Sequence, residues 1–403
     1  MLSATVYRQI SENCVTVYFP FLSPMKTPLL PTFLILAMPV FSSAQPPPAT
    51  PSLAALYADS FHIGVALNAN QITGQDPSDA QLISGHFNSY TAENAMKWES
   101  IQPTEGNFNF EIADALADLG ERNDAFLVGH TLLWHNQTPD WVFQDSAGQP
   151  ASREQVLTRL QDHIKTVMTR YRGRFDGWDV VNEALHEDGT MRESNWREAL
   201  GDDYIAEAFI AAHAADPAAK LYYNDYNLYK PGKRAGTVAI VKDLQARGIP
   251  IHGVGIQGHY GIGHPPLQEL EATIIALAEL DVKVMITELD ISVLPFPDSS
   301  QWGADLSVNF ALSAELDPYV DGLPDDVREA QDNQFRALFA LFLKHRDTLH
   351  RVTFWNLNDG TSWKNNWPVR GRTDYPVIFD RQNQPKSAYR ALIELKLAYD
   401  KSP

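Results

Sequence analysis

Short apolar segments alternate with longer amphipathic segments eight times along this chain, and that alternation restricts the possible fold more than any other feature. The clearest amphipathic segments are helices expected from Glu154 to Tyr171 and from Arg234 to Arg247, the second ended by Gly248 and followed by Pro250. A strand–helix unit repeated eight times predicts an α/β fold in which a parallel sheet closes into a (β/α)8, or TIM, barrel. The strands are predicted at residues 62–68, 87–93, 125–132, 176–182, 220–225, 251–257, 282–288 and 352–357.

The chain is long enough to form such a barrel as a single domain. It has 403 residues, and (β/α)8 barrels often reach about 250 residues or more in one domain. Two ordinary domains would also fit this length. Because no Pro- or Ser-rich linker interrupts the sequence after residue 51, we predict one catalytic domain over residues 52–403.

Residues 25–44 have the form of a secretory signal peptide. Met25-Lys26 is followed by an apolar stretch from Leu29 to Phe41 and by the small residues Ser42-Ser43-Ala44. The apolar stretch is too short for a comfortable membrane span, although a poor membrane anchor is the alternative interpretation. We therefore expect a protein that is secreted, to the extracellular space or the periplasm, after this segment is removed.

The segments on either side of this signal do not resemble packed structure. Residues 1–24 do not fit in front of a signal peptide, so we interpret them as a mis-called extension and Met25 as the true start. Residues 45–51 are rich in proline and are predicted to be a stiff linker.

The formal net charge of −18 at pH 7 excludes some classes of partner. Nucleic acid and anionic membrane surfaces would repel such a chain, and no basic run suggests a nucleic-acid site. The single cysteine, Cys14, lies before the predicted domain, so we expect no disulfide to stabilise it. A domain of this size can bury enough core without one. We expect a monomer that binds no nucleic acid and, once processed, no membrane.

Carboxylates, amides, histidines and tryptophans recur where the predicted strands end. In TIM barrels the active site lies at this end of the strands. Indole faces cover the C–H faces of sugars, and amides and acids bind hydroxyls, so these residues predict a carbohydrate cleft. We expect neither metal nor cofactor, because the strand ends have no His-x-x-x-His or His-x-His pair and no phosphate-binding glycine turn. The strand ends carry Glu93, Asn94, Lys97, Gly129–His135, Asn182, Glu183, Asn224–Asn227, Gln257–Tyr260, Glu288, Asp290, Trp355, Asp359 and Trp363.

Two of these ends deliver a glutamate directly after an apolar strand. Glu183 ends the run Trp178–Glu183, and Glu288 ends the run that starts at Val282. The fourth and seventh strands stand on roughly opposite sides of an eight-stranded barrel, so both side chains can converge over its mouth. Glycoside hydrolysis needs one carboxyl with a raised pKa as proton donor and a second that stays ionised. We expect a gap of about 5–5.5 Å between them, which would indicate retention of anomeric configuration, whereas roughly 9 Å would indicate inversion.

These motifs resemble the family-10 glycoside hydrolases, the endo-β-1,4-xylanases. The resemblance extends from about residue 60 to about residue 400, so it covers the whole predicted domain. The Asn-Glu of the fourth strand is only moderately specific, whereas the motifs of strands three and seven together are far more specific. The motifs are Thr91–Trp98, Gly129–His135, Trp178–Glu183, Ile286–Asp290 and Trp367–Pro376.

The resemblance implies a retaining endo-β-1,4-xylanase that acts on xylan and xylo-oligosaccharides by double displacement. In that family pattern Glu183 is the acid/base and Glu288 is the nucleophile. Asn182 binds the sugar 2-hydroxyl at the cleavage site, a contact that can tighten in the transition state. His259 orients Glu288 and is oriented in turn by Asp290.

The resemblance also implies a set of sugar-binding residues around the catalytic pair. Gln257 would lie beside the nucleophile, and Tyr226 would stack on the sugar past the cleaved bond. Asn356 departs from the family pattern, in which glycine usually follows the tryptophan of strand eight. The loop that contains Asn356 borders the site, so the departure concerns the sugar specificity near this tryptophan. The residues on the non-reducing side would be Glu93, Asn94, Lys97, His130, Trp134, Trp355 and Trp363.

Simpler structural interpretations remain for several of these residues. Glu183 and Glu288 could pair with barrel arginines, although a glutamate that ends an apolar strand is costly unless it is paired or used. His130 could be a core histidine, and Lys97 could be a solvated helix residue. We interpret Asp225 as a structural partner and not as a catalyst.

Three other functions remain open. A retaining hydrolase of β-1,4-glucan on the same barrel would differ in leaving room for the hydroxymethyl group of each sugar. An inactive polysaccharide-binding protein would lack one of the two acids, and both are present. A metal-dependent hydrolase would need His and carboxylate ligands at the strand ends.

A long loop predicted at residues 303–325 could shape the product side of the cleft.

Overall fold

The computed structural model describes residues 51–297 and 304–401. The interpretations of residues 1–24 as an extension, of 25–44 as a signal peptide and of 45–50 as linker concern residues outside these ranges and stay predictions. Gly303, at the start of the predicted long loop, also lies outside them.

Eight strands close into a parallel barrel, which confirms the fold predicted from the sequence. Each barrel strand pairs in parallel with the next barrel strand along the chain, and the last pairs back with the first. The short strand β7 lies outside the closed barrel and pairs only with β8, so that β6 and β8 are neighbours. The strands are β1 His62–Leu67, β2 Ser89–Ala92, β3 Phe126–Trp134, β4 Gly177–Asn182, β5 Lys220–Asp225, β6 Gly253–Ile256, β7 His259–Gly261, β8 Lys283–Ser292 and β9 Leu349–Phe354.

Helices follow the strands and cover the outside of the barrel. Within the described residues, none is long and apolar enough to cross a membrane. The α-helices are α1 Leu53–Leu56, α2 Ala69–Ile72, α3 Pro77–His86, α4 Trp98–Ile101, α5 Glu111–Asn123, α6 Arg153–Arg170, α7 Asn195–Leu200, α8 Tyr204–Ala215, α9 Pro231–Ala246, α10 Leu267–Ala278, α11 Asp325–Lys344 and α12 Ser387–Tyr399.

Local sequence signals set the bounds of the two helices that were predicted individually. Helix α6 begins after Ser152, whose hydroxyl accepts from the backbone N–H of Gln155 while the Gln155 side chain accepts from the Ser152 backbone, a capping box. Helix α9 begins at Pro231, three residues before the predicted start at Arg234, because the fixed φ of proline suits the first helical position. Gly248 follows its end with φ of 68°, the left-handed conformation expected of a helix-terminating glycine.

Two strands differ from their predicted bounds by three or more residues at one or both ends, and both differences affect the site. Strand β8 continues to Ser292, so Glu288 lies within the strand and not at its end. The extension is stabilised because β7 pairs with it, His259 lying opposite Asp290. Strand β9 begins at Leu349 and ends at Phe354, so Trp355 directly follows it.

A close contact between β3 and β4 fixes the part of the barrel that carries the site. The Trp178 ring lies against Gly129, where a Cβ atom would be 2.1 Å from a ring carbon. Any other residue at 129 would therefore displace this ring. Trp178 is 2% exposed, as expected of a packing residue. The two strands that carry His130 and Glu183 are thus locked together by packing.

The buried side chain of His163 on α6 makes the free energy of unfolding depend on pH. Its ring stacks on Trp98 at 3.7 Å between centroids, and its Nδ1 lies 2.8 Å from Gln102 Oε1. Burial lowers the pKa of His163 from its ordinary 6.5 to about 3. Because the unfolded chain binds this proton at a higher pH than the folded chain, the contribution of neutral His163 is complete above pH 6.5 and is lost as the pH falls towards 3.

We expect the free energy of unfolding to depend more steeply on pH in the wild type than in His163→Phe. The difference in slope should approach about 1.4 kcal/mol per pH unit below pH 6. Urea titrations at a series of pH values measure it. The slope, and not the stability at one pH, is diagnostic, because the variant also loses the hydrogen bond to Gln102. Equal slopes would contradict the prediction.

Candidate active site

Glu183 and Glu288 reach one pocket at the carboxyl end of the barrel. Glu183 directly follows β4, Glu288 lies in β8, and β5 and β6 stand between these strands on one side. The two residues are 4% and 5% exposed and line the same pocket. The carboxyl spacing of about 5–5.5 Å expected for a retaining enzyme stays a prediction.

Three donors surround the carboxyl group of Glu183. Trp134 Nε1 donates to Oε2 at 2.9 Å, and Gln257 Nε2 and Asn182 Nδ2 donate to Oε1 at 2.8 and 3.2 Å. Burial raises the pKa of Glu183; the Gln257 hydrogen bond opposes the rise, the charge of Glu288 adds to it and Trp134 opposes it. The net rise favours the protonated form, which can donate a proton.

The carboxyl group of Glu288 has a different environment. Asn224 Nδ2 donates to Oε1 at 2.9 Å, and His259 Nε2 lies 3.2 Å from Oε2. Burial would raise the pKa of Glu288, but the His259 hydrogen bond, the charges of His130 and His259 and the Asn224 hydrogen bond together lower it. The two acids in one pocket are therefore shifted in opposite directions, which is the pattern of an acid paired with a nucleophile.

His259 lies between Glu288 and Asp290. Its Nδ1 is 2.8 Å from Asp290 Oδ2, and Trp363 Nε1 donates to the same oxygen at 2.8 Å. Burial would lower the pKa of His259, but the charge and hydrogen bond of Asp290 and the Glu288 hydrogen bond raise it overall. The pairing of β7 with β8 sets this arrangement, and it supplies the contacts that the family resemblance implies.

A row of amides connects the two acids. Asn182 Oδ1 accepts from Asn224 Nδ2 at 2.9 Å, and Thr287 Oγ1 donates to Asn224 Oδ1 at 2.7 Å. Because Asn224 bonds both Asn182 and Glu288, it belongs to the site, whereas the sequence analysis includes it only among the strand-end residues and gives it no role. The signal was available: Asn182 and Asn224 are register partners in β4 and β5.

Most of the predicted sugar-binding residues line the same pocket. Lys97 is 7% exposed, which rules out its interpretation as a solvated helix residue, and its Nζ lies 4.8 Å from the Trp134 ring centroid. Burial lowers the pKa of Lys97, against the raising effect of the neighbouring glutamates. His130 is held by Asp179, Nδ1 to Oδ2 at 2.9 Å. The pocket is lined by Lys97, His130, Trp134, Asn182, Glu183, Gln257, His259, Glu288, Ala304, Leu306, Trp355 and Trp363.

Three of the predicted sugar-binding residues do not line this pocket. Glu93 is half-buried beside the pocket, and burial raises its pKa. Asn94 is exposed and accepts from Lys97 Nζ at 2.9 Å. Tyr226 is only 2% exposed, and its hydroxyl accepts from Arg192 at 3.0 Å. The sugar-binding roles of these three residues stay predictions.

Asn356, the position that departs from the family pattern, has a left-handed backbone with φ of 92°. Glycine adopts this conformation without strain, which explains why glycine suits the position. The asparagine side chain adds a contact that glycine lacks, because its Oδ1 accepts from the backbone N–H of Trp363 at 3.0 Å. The loop that carries Trp363 is thereby tied to the end of β9.

Asp225 has a structural partner, as interpreted from the sequence. Lys233 Nζ lies 2.8 Å from Asp225 Oδ1, and both side chains are fully buried. The Tyr223 hydroxyl donates to Asp225 Oδ2 at 2.5 Å. Burial raises the pKa of Asp225 and the Lys233 charge lowers it, with the rise prevailing. Both oxygens of this carboxylate are engaged away from the pocket.

Two further observations bear on the alternatives left open. Among residues 51–297 and 304–401, no group of three or more His, Cys, Asp or Glu side chains is arranged to hold a metal ion. The segment after β8 borders the pocket through Ala304 and Leu306, so the described part of the predicted long loop does reach the site.

Comparison with known proteins gives a consistent result. A family model described as glycosyl hydrolase family 10 matches residues 52–395. Endo-1,4-beta-xylanase A of Xylanibacter ruminicola is 41% identical over 361 residues, which cover 90% of this chain and 97% of that protein. A GH10 endoxylanase structure from a sugarcane soil metagenome superimposes with a TM-score of 0.83 at 43% identity, covering 85% of this chain and 100% of that one. A mutant solved in complex with xylotriose has a TM-score of 0.76 at 39% identity, covering 86% and 100%.

Proposed function

The chain belongs to glycosyl hydrolase family 10, and from this premise we propose that it is a retaining endo-β-1,4-xylanase that hydrolyses internal bonds of xylan. One observation carries the assignment of roles. Two buried carboxyl groups share a pocket, and their pKa values are shifted apart, upward for Glu183 and downward for Glu288. We assign Glu183 as the acid/base and Glu288 as the nucleophile.

The contacts around the two acids support a double displacement. In the first step Glu288 attacks the anomeric carbon while Glu183 protonates the departing oxygen. Asn224 and His259 each hold one oxygen of Glu288, which fixes the direction of attack. The negative charge of Glu288 disappears in the covalent intermediate, and with it one cause of the raised pKa of Glu183. Glu183, which has already given its proton to the departing oxygen, therefore stays ionised and can accept a proton from the attacking water.

The side chains around the acids support a carbohydrate substrate with several sugars. Trp355 and Trp363 form indole walls of the pocket, and Lys97 and the amides supply hydrogen-bonding groups beside them. Asn182 lies beside Glu183, where it can reach the 2-hydroxyl of the sugar being cleaved. A related structure holds xylotriose, and the related protein from Xylanibacter ruminicola is named as a xylanase.

Reducing-sugar release from xylan and from carboxymethyl-cellulose tests the substrate class. We expect specific activity on xylan to exceed that on carboxymethyl-cellulose by at least about tenfold, a discrimination of about 1.4 kcal/mol, because a pocket shaped for xylose leaves no room for a hydroxymethyl group. Activity on the glucan equal to or above that on xylan would favour the runner-up, a retaining β-1,4-glucanase. Activity on neither would favour a polysaccharide-binding protein.

Two substitutions test the roles of the acids on an aryl xylobioside with a good leaving group. Glu288→Ala should abolish hydrolysis, because no other group can form the covalent intermediate. Glu183→Ala should form that intermediate at close to the wild-type rate, since such a leaving group needs little acid help, but should lose roughly 10²–10⁴-fold on xylan.

The exposed Glu279 at the end of α10 offers a matched control, and Glu279→Ala should keep wild-type activity on both substrates. If Glu183→Ala and Glu288→Ala behaved alike on the aryl substrate, the assignment of roles would be wrong.

We also propose that the mature protein is secreted, to the extracellular space or the periplasm, and acts as a monomer. The signal-like pattern of residues 25–44 supports secretion. N-terminal sequencing of the exported protein should begin at Gln45, after the small residues that precede it. An exported protein that still began at Met25 would contradict this, and a dimer in sedimentation would contradict the monomer.

A further inference from the structure

Glu288, His259 and Asp290 contact one another in series, and we call this series the relay. Lys364 is a buried cation next to it. It follows Trp363 in the short 3₁₀ helix Trp363–Asn365 after β9, and it is 3% exposed. Its Nζ lies 3.7 Å from Asp290 Oδ1. Burying an unpaired ammonium group would cost several kcal/mol, so the pairing with Asp290 is what makes its position tolerable.

Four buried groups of alternating charge form a line from the proposed nucleophile to Lys364. Glu288 lies 3.2 Å from His259, His259 lies 2.8 Å from Asp290, and Asp290 lies 3.7 Å from Lys364. Asp290 is 0% exposed, and its Oδ2 already accepts from both His259 and Trp363. No hydrogen-bond donor among the described residues reaches its Oδ1. Lys364 is therefore the group that faces the second oxygen.

The same ammonium group also contacts the indole wall. Lys364 Nζ lies 4.4 Å from the ring centroid of Trp363 and 4.7 Å from that of Trp367, within cation–π distance. The two indoles stack at 4.7 Å with 15° between their planes. Because Trp363 itself donates to Asp290, one cation fixes both the carboxylate and one of its donors.

We propose that Lys364 is a positioning residue for the hydrolysis proposed above, fixing Asp290 and Trp363 so that His259 stays aligned on Glu288. The inference rests on the proposed function, since positioning matters only if Glu288 is the nucleophile. It adds a fourth member to the arrangement of Glu288, His259 and Asp290.

The charges around this line agree with the proposal. Burial lowers the pKa of Lys364, the carboxylates of Asp290 and Asp374 oppose that shift, and Arg372 reinforces it. His259 faces Glu288, Asp290 and Lys364; burial and Lys364 lower its pKa, and the two acids raise it overall. Removing the Lys364 charge should therefore raise the pKa of His259 further.

Lys364→Met tests the proposal, because methionine keeps much of the side-chain length without the charge. We expect the imidazole titration of His259, followed by NMR in the absence of substrate, to move to higher pH. We expect kcat for an activated aryl xylobioside to fall roughly tenfold, because the nucleophile is less well aligned. Lys364→Arg keeps the charge and should restore both the titration and most of kcat.

Lys396 provides a matched control, because it is another buried lysine, 1% exposed, and is paired with the carboxylates of Asp59 and Asp400 at helix α12. Lys396→Met should lower stability while leaving kcat and the titration of His259 unchanged. If Lys364→Met does not fold, Lys364→Gln replaces it with the same expectation, since it also lacks the charge.

The proposal is overturned if the folded neutral variant keeps the wild-type titration of His259 and the wild-type kcat, or if Lys396→Met loses as much activity. The titration needs no substrate. A wild-type protein inactive on xylan would therefore refute the proposed function, while the titration would still report whether Lys364 acts on His259.

Discussion

Two buried carboxyl groups in one pocket repel each other when both are ionised, and the contacts around them resolve this repulsion. Desolvation acts on both groups in the same direction, so burial alone could not separate them. The difference comes from their donors. Among the described residues, the hydrogen-bond donors to Glu183 are neutral groups, whereas Glu288 also faces His259, an imidazole backed by a carboxylate. These contacts favour the protonated form for Glu183 and the ionised form for Glu288.

The parallel closed sheet makes this arrangement possible because neighbouring strands end side by side. Asn182 and Asn224 are register partners on β4 and β5, and their amides fill the space between the two acids. On β8 the strand does not stop at Glu288 but continues far enough to present Asp290 to His259 on β7. A short pairing outside the barrel therefore builds the relay that the barrel alone would leave incomplete.

The sequence predicted the elements whose signals are local. All eight barrel strands could be placed, because each is a short apolar run bounded by helical patterns, and the motifs ending in Glu183 and Glu288 indicated which strand ends matter. Contacts that depend on register or burial were harder to predict. The strand-end pattern includes Asn224 but gives it no role, since only the alignment of β4 with β5 brings it to the acids. Nothing in the sequence indicates Lys364, because a lysine in a loop is ordinarily exposed. The near-complete burial of Tyr226 likewise has no local signal, since Arg192, which donates to its hydroxyl, comes from another segment of the chain.

The single hydrogen bond between Asn356 and the loop of Trp363 has a consequence for how the substrate range of such an enzyme can diverge. The tether belongs to one side chain on a backbone that glycine would occupy more easily, so a single amino-acid substitution can remove it while the strands of the barrel stay in place. The stiffness of one cleft wall can thereby change while Glu183 and Glu288 keep their positions. Because Trp363 also donates to Asp290, such a change affects the alignment of the proposed nucleophile as well as the grip on a polymer.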